Sequence, residues 1–543
     1  MKSAMRRERV NGFLDTRGKQ IVNQSGEEII LTGWGLGNWL LCEGYMWKAQ
    51  GLKRFDRPRH IETVIEELTG SSYAKTFWQN FRKNYVTEDD IRLMAEWGYN
   101  SVRIPINARL FLEEGPGISF VNDGFELLDQ CIDWCEKYGL YAIIDMHGAP
   151  GGQTGANIDD SIDDVPRLFT DPDCFDKGIA LWKELAARYK ERWIVGGYDL
   201  LNEPIRPKNS GEDRDFENLV PLLVKFYETV IKEIKKIDNR HLFFIEGHHW
   251  AAATDIFCKK YDEKMVLHFH RYGCLPDIAS YEEFIAAADR WNIPLWLGET
   301  GENYTEWFAA MYPLASDLGI GYNIWPWKKM DCLNSPCSIK LPVDWNKIID
   351  YAKGAPHPGY ETAREILDQY LENMKLKNCD IHKMVTRSVL RQPGCVIRGT
   401  DFDHFPGRGI SYSGFRNENN IYKYRQNTGM LITEEYPELI LKSGFDSGFK
   451  RYVLNLAEDE FAVYSINDVA AGDSFSINVI SNVPSKFEIY QNDILADTVY
   501  TDSGAGLNKT AAIPFAGVGD TTIKIKVIKG EIKIESIETF RFE

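Results

Sequence analysis

Between residues 28 and 326 the chain alternates short apolar runs with longer stretches in which apolar residues recur every three or four positions. The short runs fit strands buried on both faces, and the longer period fits amphipathic helices laid against them. Strands are predicted at 29–33, 101–105, 141–146, 197–201, 242–245, 265–269, 295–298 and 321–324. Helices are predicted at 88–98, 124–138, 173–193, 213–236, 281–291 and 306–318, with a last one at 360–375 that closes the ring. Eight strands, each followed by a helix, is the count of an α/β fold of the (β/α)8, or TIM, barrel type. Ahead of the first strand, GFLDTRGKQIVNQSGEEIIL alternates around two turn signals and reads as a hairpin plugging the barrel floor.

After about residue 380 the helical period gives way to short β-prone runs broken by Gly, Asn, Asp and Ser, at 450–454, 460–465, 474–480, 486–490 and 522–528. That spacing predicts a C-terminal all-β domain, a β-sandwich or jelly roll. Two domains follow, a barrel over 1–385 and a smaller sandwich over 390–543, with Pro393-Gly394 as the strongest break between them.

Charge narrows the partners. Lys and Arg total 63 against 80 Asp and Glu, a net charge of -17, so the mean field repels a phosphate backbone or an anionic membrane. Neither nucleic acid nor membrane is expected as a partner, and no apolar run approaches the roughly 18 residues of a membrane span. The opening MKSAMRRERVNGFLDTRG is basic, then carries Asn, Asp, Thr and Gly where a secretory signal places an apolar run of about 7 to 15 residues. As written the chain reads as cytoplasmic, secretion requiring a leader removed beforehand. Ten Cys are too dilute for a disulfide scaffold and are expected as reduced thiols. All 15 Trp fall between Trp34 and Trp345, so flat apolar faces are concentrated in the barrel.

In a barrel of this kind the reacting groups stand at the C-terminal ends of the strands and on the loops after them. Those positions hold Arg103, then Asp145 and His147, Asn202 and Glu203, His268, His270 and Tyr272, Glu299, and Trp325. Glu203 and Glu299 end the fourth and seventh strands on opposite sides of one mouth. Hydrolysis of a glycosidic bond asks for such a pair, one group to protonate the leaving oxygen and one to attack or to activate water. Asn202 in LLNEP is placed to donate to a sugar hydroxyl, and Arg103 and Tyr272 to orient Glu299. Opposed environments would separate the two pKa values, the acid raised and the nucleophile depressed.

These residues sit in motifs that resemble glycoside hydrolase family 5, a group of retaining β-glycosidases. The carriers are GWGLGNWLLCE at 33–43, SVRIPIN at 101–107, DMHGAPGG at 145–152, LLNEP at 200–204, HFHRYG at 268–273, LGETG at 297–301 and NIWPWK at 323–328. The first and third are most similar to the branch of exo-β-1,3-glucanases and β-glucosidases. The resemblance implies Glu203 as acid/base and Glu299 as nucleophile, supported by Arg103. It also implies Asn202 on the 2-hydroxyl, His147 beside the cleaved bond, His270 and Tyr272 as the family's His-x-Tyr, Trp325 as a stacking platform and Glu43 as a grip on a terminal glucose. Thr300, Pro326 and Cys42 depart from the family pattern.

Pyranose rings present C–H faces to aromatic planes, which makes Trp39, Trp47, Trp325 and Trp327, near strand ends, candidates for sugar contact. Trp97, Trp134, Trp182, Trp193 and Trp291 lie on helical stretches and read as packing. One of His248 and His249, after the fifth strand, is expected to touch substrate, His249 being the candidate. The run Asp159, Asp160, Asp163 and Asp164 reads as a solvated loop, with a lid or calcium site as the sharper alternative. The expected activity is hydrolysis of a β-glucan oligosaccharide or β-glycoside by double displacement, with no cofactor. The alternatives are an endo-β-glucanase, a barrel that binds glycans without cleaving them, and a metal-dependent hydrolase using the crowded His residues. The C-terminal region more weakly resembles a carbohydrate-binding jelly roll, with Tyr412, Tyr422, Tyr424 and Tyr436 as its candidate platforms; a structural or dimerising module is the equal alternative.

Overall fold

The structure, a computed structural model, describes residues 5, 7–208, 214–416, 424–440, 445–502 and 505–542. Eight parallel strands close into a barrel: β1 (Thr32–Gly35), β2 (Ser101–Asn107), β3 (Tyr141–Gly148), β4 (Val195–Asp199), β5 (Leu242–Glu246), β6 (Met265–His270), β7 (Leu295–Gly301) and β8 (Gly321–Trp325). Every residue of β2, β3, β4, β5 and β6 is buried, which is why these strands read as apolar runs without alternation. Some strand ends differ from the sequence reading. The first strand ends at Gly35 rather than 33, and the fourth ends at Asp199 rather than 201.

The hairpin Asp15–Arg17 with Gln20–Val22 forms as expected, and nearby Gly12 and Asn11 hydrogen-bond the hydroxyl of Tyr141, the first residue of β3, which puts this segment at the N-terminal end of the barrel. The helix Glu88–Glu96 shows how local sequence and tertiary packing share a residue. Thr87 and Asp90 make a reciprocal capping box, and the second oxygen of the buried Asp90 accepts from Trp327 Nε1 at 2.9 Å and pairs with Lys328 Nζ at 2.7 Å.

Two compact units divide the chain. The first holds Met1–Arg271, Glu283–Thr300 and Ile320–Ile381; the second holds Tyr272–Glu282, Gly301–Gly319 and His382–Glu543. In the second unit a short amphipathic helix, Lys383–Leu390, precedes the strands in a stretch that the sequence reading leaves without helix. Beyond it, two antiparallel sheets, one of seven and one of five strands among the described residues, enclose a single core. Ile477, Ile489, Ile525, Val527, Ile532, Ile534 and Ile537 are fully buried there. Alternation is plain in Ser485–Gln491, where every second side chain points inward. Tyr412 and Tyr424 are part of this core, and the Tyr424 hydroxyl donates to Asp401 at 3.0 Å, so neither offers a free ring to a glycan. Tyr436 is half-buried, and Tyr422 lies outside the described residues. None of the described helices is long and apolar enough to cross a membrane, and all ten Cys are free thiols.

Candidate active site

The C-terminal ends of the barrel strands converge on one buried cation. Arg103, midway along β2 and fully enclosed, donates from Nη1 to Glu299 Oε2 at 2.6 Å, from Nε to Asp199 Oδ2 at 2.9 Å, and from Nη2 to Asn202 Oδ1 at 2.8 Å. The same Nη2 lies 3.1 Å from Asp145 and 3.2 Å from Glu246. Four carboxyl groups around one guanidinium keep it cationic and well above its ordinary range. Burial and the neighbouring carboxylates push Asp145 and Glu246 up, whereas His268 and Arg103 outweigh burial to hold Asp199 down.

Around this centre the hydrogen bonds fix each imidazole. His147 is held neutral, its pKa lowered to about 3 by burial and then by Arg103. Its Nδ1 donates to Asp145 at 2.8 Å, so Nε2 accepts from the Asn202 amide at 3.2 Å. With Oδ1 on Arg103 and Nδ2 on His147, the Asn202 amide has one orientation. His268 is likewise neutral, lowered to about 3 by burial, with Nδ1 on Asp199 at 3.0 Å. Its free Nε2 must accept from His270 Nε2 at 3.0 Å. That leaves His270 Nδ1 to share a proton with Glu203 Oε1 at 2.7 Å.

Small backbone features aim these groups. A register shift between Phe269 and His270 in the β6–β7 ladder turns His270 toward the mouth and pairs it with Glu299. Gly298 is required by His268: a Cβ there would stand 1.9 Å from its Nε2. Gly35 and Gly37 let the Trp325 ring lie on the backbone after β1, where a Cβ would come within 2.7 Å of it. Trp325 runs parallel to the His147 ring, centroids 5.1 Å apart and planes within 5°, and its Nε1 donates to Tyr45 at 2.9 Å. Glu43 is buried on the same loop, two residues before Tyr45.

The two glutamates therefore meet in different surroundings. Desolvation pushes Glu203 up to about 7 in spite of His270, and Glu299 adds to the rise. Glu299 receives Arg103 at 2.6 Å and lies 3.9 Å from His270 Nδ1. Glu203, Glu299 and His270 each offer an atom, and these three lie within 4.8 Å of one another. Glu246, His268 and His270 form a second such group. Both groups have donor types that a transition metal accepts, but their imidazole nitrogens already face each other, Asp199 and Glu203.

Glu203, Glu299, Arg103, His147, Asn202, His270 and Trp325 are thus brought together. Other expectations change. Trp39 and Trp327 are buried packing residues: Trp39 Nε1 donates to the Arg82 carbonyl at 2.7 Å, and Trp327 packs between Trp34 and Trp97 with its Nε1 on Asp90. Trp47 is also enclosed, among Phe81, Tyr370 and Trp345. His249 Nε2 faces Glu217 at 3.2 Å, and His248 pairs with Asp255 at 2.6 Å. Tyr272 belongs to the second unit, its ring 4.8 Å from Phe445.

The acidic run is not a solvated loop. Asp159 is fully buried and accepts the backbone N–H groups of Gln153, Thr154 and Ser161 at 2.9 Å each. Asp160 accepts from Asn107 at 2.9 Å and pairs with Arg59 and Arg109, while Asp164 takes Arg57 at 2.5 Å; only Asp163 is exposed. Arginines distant in sequence clasp the loop, and no local pattern announces that. Sequence reading also passed over Asp199 and Glu246, whose one signal is a carboxylate inside an apolar strand, and Gln153 and Thr154.

Comparison with known proteins gives the barrel a family. Residues 62–331 match the model of the cellulase family, glycosyl hydrolase family 5. A β-xylosidase of Phanerodontia chrysosporium is 28% identical over 277 residues, covering 51% of this chain and 55% of that protein. Endoglucanase C of Acetivibrio thermocellus is 27% identical over 204 residues (37% and 54%). A probable glucan 1,3-β-glucosidase A of Aspergillus clavatus is 28% identical over 257 residues (46% and 57%). The chain spans about half the length of these curated relatives. By the match over its barrel, the chain belongs to glycosyl hydrolase family 5.

Proposed function

We propose that the barrel is a retaining β-glycosidase acting on β-linked, glucose-containing glycans or glycosides, in the manner of a β-glucosidase or exo-β-glucanase. One observation carries this reading: an oxygen of Glu203 and one of Glu299 lie within 4.8 Å, and the environments of the two differ. Retaining enzymes hold their carboxyls about 5 to 5.5 Å apart, and inverting ones leave about 6.5 Å or more for a water. Glu299, oriented by Arg103, attacks the anomeric carbon. Glu203, with its pKa near 7, gives its proton to the leaving oxygen. The C–O bond to the aglycone breaks as the glycosyl–Glu299 ester forms. Glu203, now a carboxylate, takes a proton from water, whose oxygen displaces Glu299 and restores the starting state with retention. Trp325 and His147 line the sugar site, and Asn202 offers its amide to the 2-hydroxyl.

The relatives carry both glucan 1,3-β-glucosidase and endoglucanase names, so an endo-acting β-glucanase is the second reading. Product analysis on β-1,3-, β-1,4- and β-1,6-linked gluco-oligosaccharides tests both: glucose released from one end supports the first, internal cleavage the second. NMR of the first-formed product should show the β-anomer, and an α-anomer would overturn retention. A chelator should leave turnover unchanged; loss of activity restored by a divalent metal would favour the metal-dependent alternative.

A further inference from the structure

The acid/base residue stands in an unusual backbone conformation. Glu203 has φ +44° and Ile205, two residues on, φ +53°, both in the left-handed region that non-glycine residues avoid. Such a conformation persists where its surroundings over-determine it. Thr154 Oγ1 donates to the Glu203 carbonyl at 3.0 Å, Gln153 Nε2 donates to the Asn202 carbonyl at 2.9 Å, and the Ile205 N–H donates to the Gln153 carbonyl at 3.0 Å. The remaining hold is of another kind. The Glu203 N–H donates to Oε2 of Glu246, a fully buried carboxyl at the end of β5, at 2.6 Å.

Glu246 also touches what holds the side chains. Its Oε1 lies 3.2 Å from Arg103 Nη2, 3.2 Å from His268 Nδ1 and 3.5 Å from His270 Nε2. The Tyr227 hydroxyl anchors its backbone carbonyl at 2.8 Å. One oxygen thus fixes the main chain of Glu203, and the other faces the His pair that ends on the Glu203 carboxyl and the Arg103 that orients Glu299.

We propose that Glu246 is a positioning residue for the acid/base: through the Glu203 amide it holds the Glu203 carboxyl where its proton meets the leaving oxygen. The proposal rests on Glu203 as acid/base, and leaving-group chemistry separates the two claims. A 2,4-dinitrophenolate departs without a proton, whereas a phenolate needs one. For the full chain, E246L should lower kcat/KM on phenyl β-glucoside by about 100-fold while changing it on 2,4-dinitrophenyl β-glucoside by less than about 5-fold. On the dinitrophenyl substrate kcat and KM should fall together, because the second step, which Glu203 assists as base, becomes slow. E246Q keeps one oxygen for the amide and should lose only about 10-fold on the phenyl substrate.

Equal losses on both substrates, or none, would overturn the proposal, since a merely structural role does not distinguish leaving groups. Where circular dichroism shows E246L unfolded, the same ratio measured on E246Q decides. E203A should show the leaving-group signature more strongly. If it does and the Glu246 variants do not, positioning by Glu246 falls alone; if E203A lacks it, or the wild type cleaves neither glucoside, the functional reading beneath it falls.

Discussion

The ion cluster beneath the mouth of the barrel and the interior of the C-terminal sandwich are both buried, yet they are made of opposite material. In the sandwich, isoleucines and valines from two sheets meet with no exposure, and buried charges such as Arg391 and Asp403, 2.8 Å apart, stand beside that apolar core. At the mouth, Arg103, Asp145, Asp199, Glu246 and His268 are all fully buried within a few ångströms of one another. Burying apolar area stabilises a fold at about 25 cal/mol per Å². Burying an ion cluster stabilises little, and apolar replacements of similar volume are often better tolerated. The sandwich interior is what stability alone would choose; the ion cluster instead orients Glu299, Asn202 and the backbone of Glu203.

The largest effect that would sharpen this contrast is loss of turnover without loss of fold. Glu299→Gln removes the proposed nucleophile and should abolish hydrolysis, and Glu203→Gln, at the proposed acid/base, should cost about 10²- to 10⁴-fold on unactivated substrates. Circular dichroism and thermal melting should stay near wild type; substantial residual turnover of Glu299→Gln would break the assignment. Next comes Arg103→Met, which leaves four buried carboxyls without their cation. Breaking a buried ion pair from one side costs about 3–5 kcal/mol, so urea unfolding should show a stability loss of that order together with inactivity.

In the sandwich the expected change has the other character. Ile525→Ala deletes fully buried methyl groups and should cost about 2–5 kcal/mol by transfer and cavity terms. Denaturant titration reads that loss, and kcat per folded molecule should hold. The smallest effect is a titration. As the proposed acid, Glu203 must carry its proton to act, so kcat/KM should fall as pH rises through about 7, tenfold per unit beyond it. A limb near the ordinary carboxylate range, or one that Ile525→Ala moves, would erase the distinction between the two interiors.

How much of this was legible varies with the kind of signal. Barrel strands were readable because burial on both faces gives uninterrupted apolar runs, and Glu203, Glu299, Arg103 and His147 because strand ends face the mouth. Trp39 and Trp327 misled because proximity to a strand end does not say which way a ring turns; their indole N–H groups go to Arg82 and Asp90. The acidic loop misled because four carboxylates in six residues look solvated until Arg57, Arg59 and Arg109 arrive from elsewhere in the chain. Glu246 carried only the weak mark of a charge ending the run LFFIE.

By itself, then, the sequence determined the alternation of strand and helix, the change of architecture near residue 380, and the residue types at the strand ends. Period and composition are local properties, and eight repeats of one period leave few ways to close. Tertiary structure alone decided which carboxyls are pushed up, which imidazoles are pushed down and what holds Glu203 in its left-handed turn. Those outcomes depend on pairings across long stretches of chain, 143 residues from Arg103 to Glu246 and 43 from Glu203 to Glu246. They also depend on the loss of water around them, and neither leaves a periodic trace in the order of the residues.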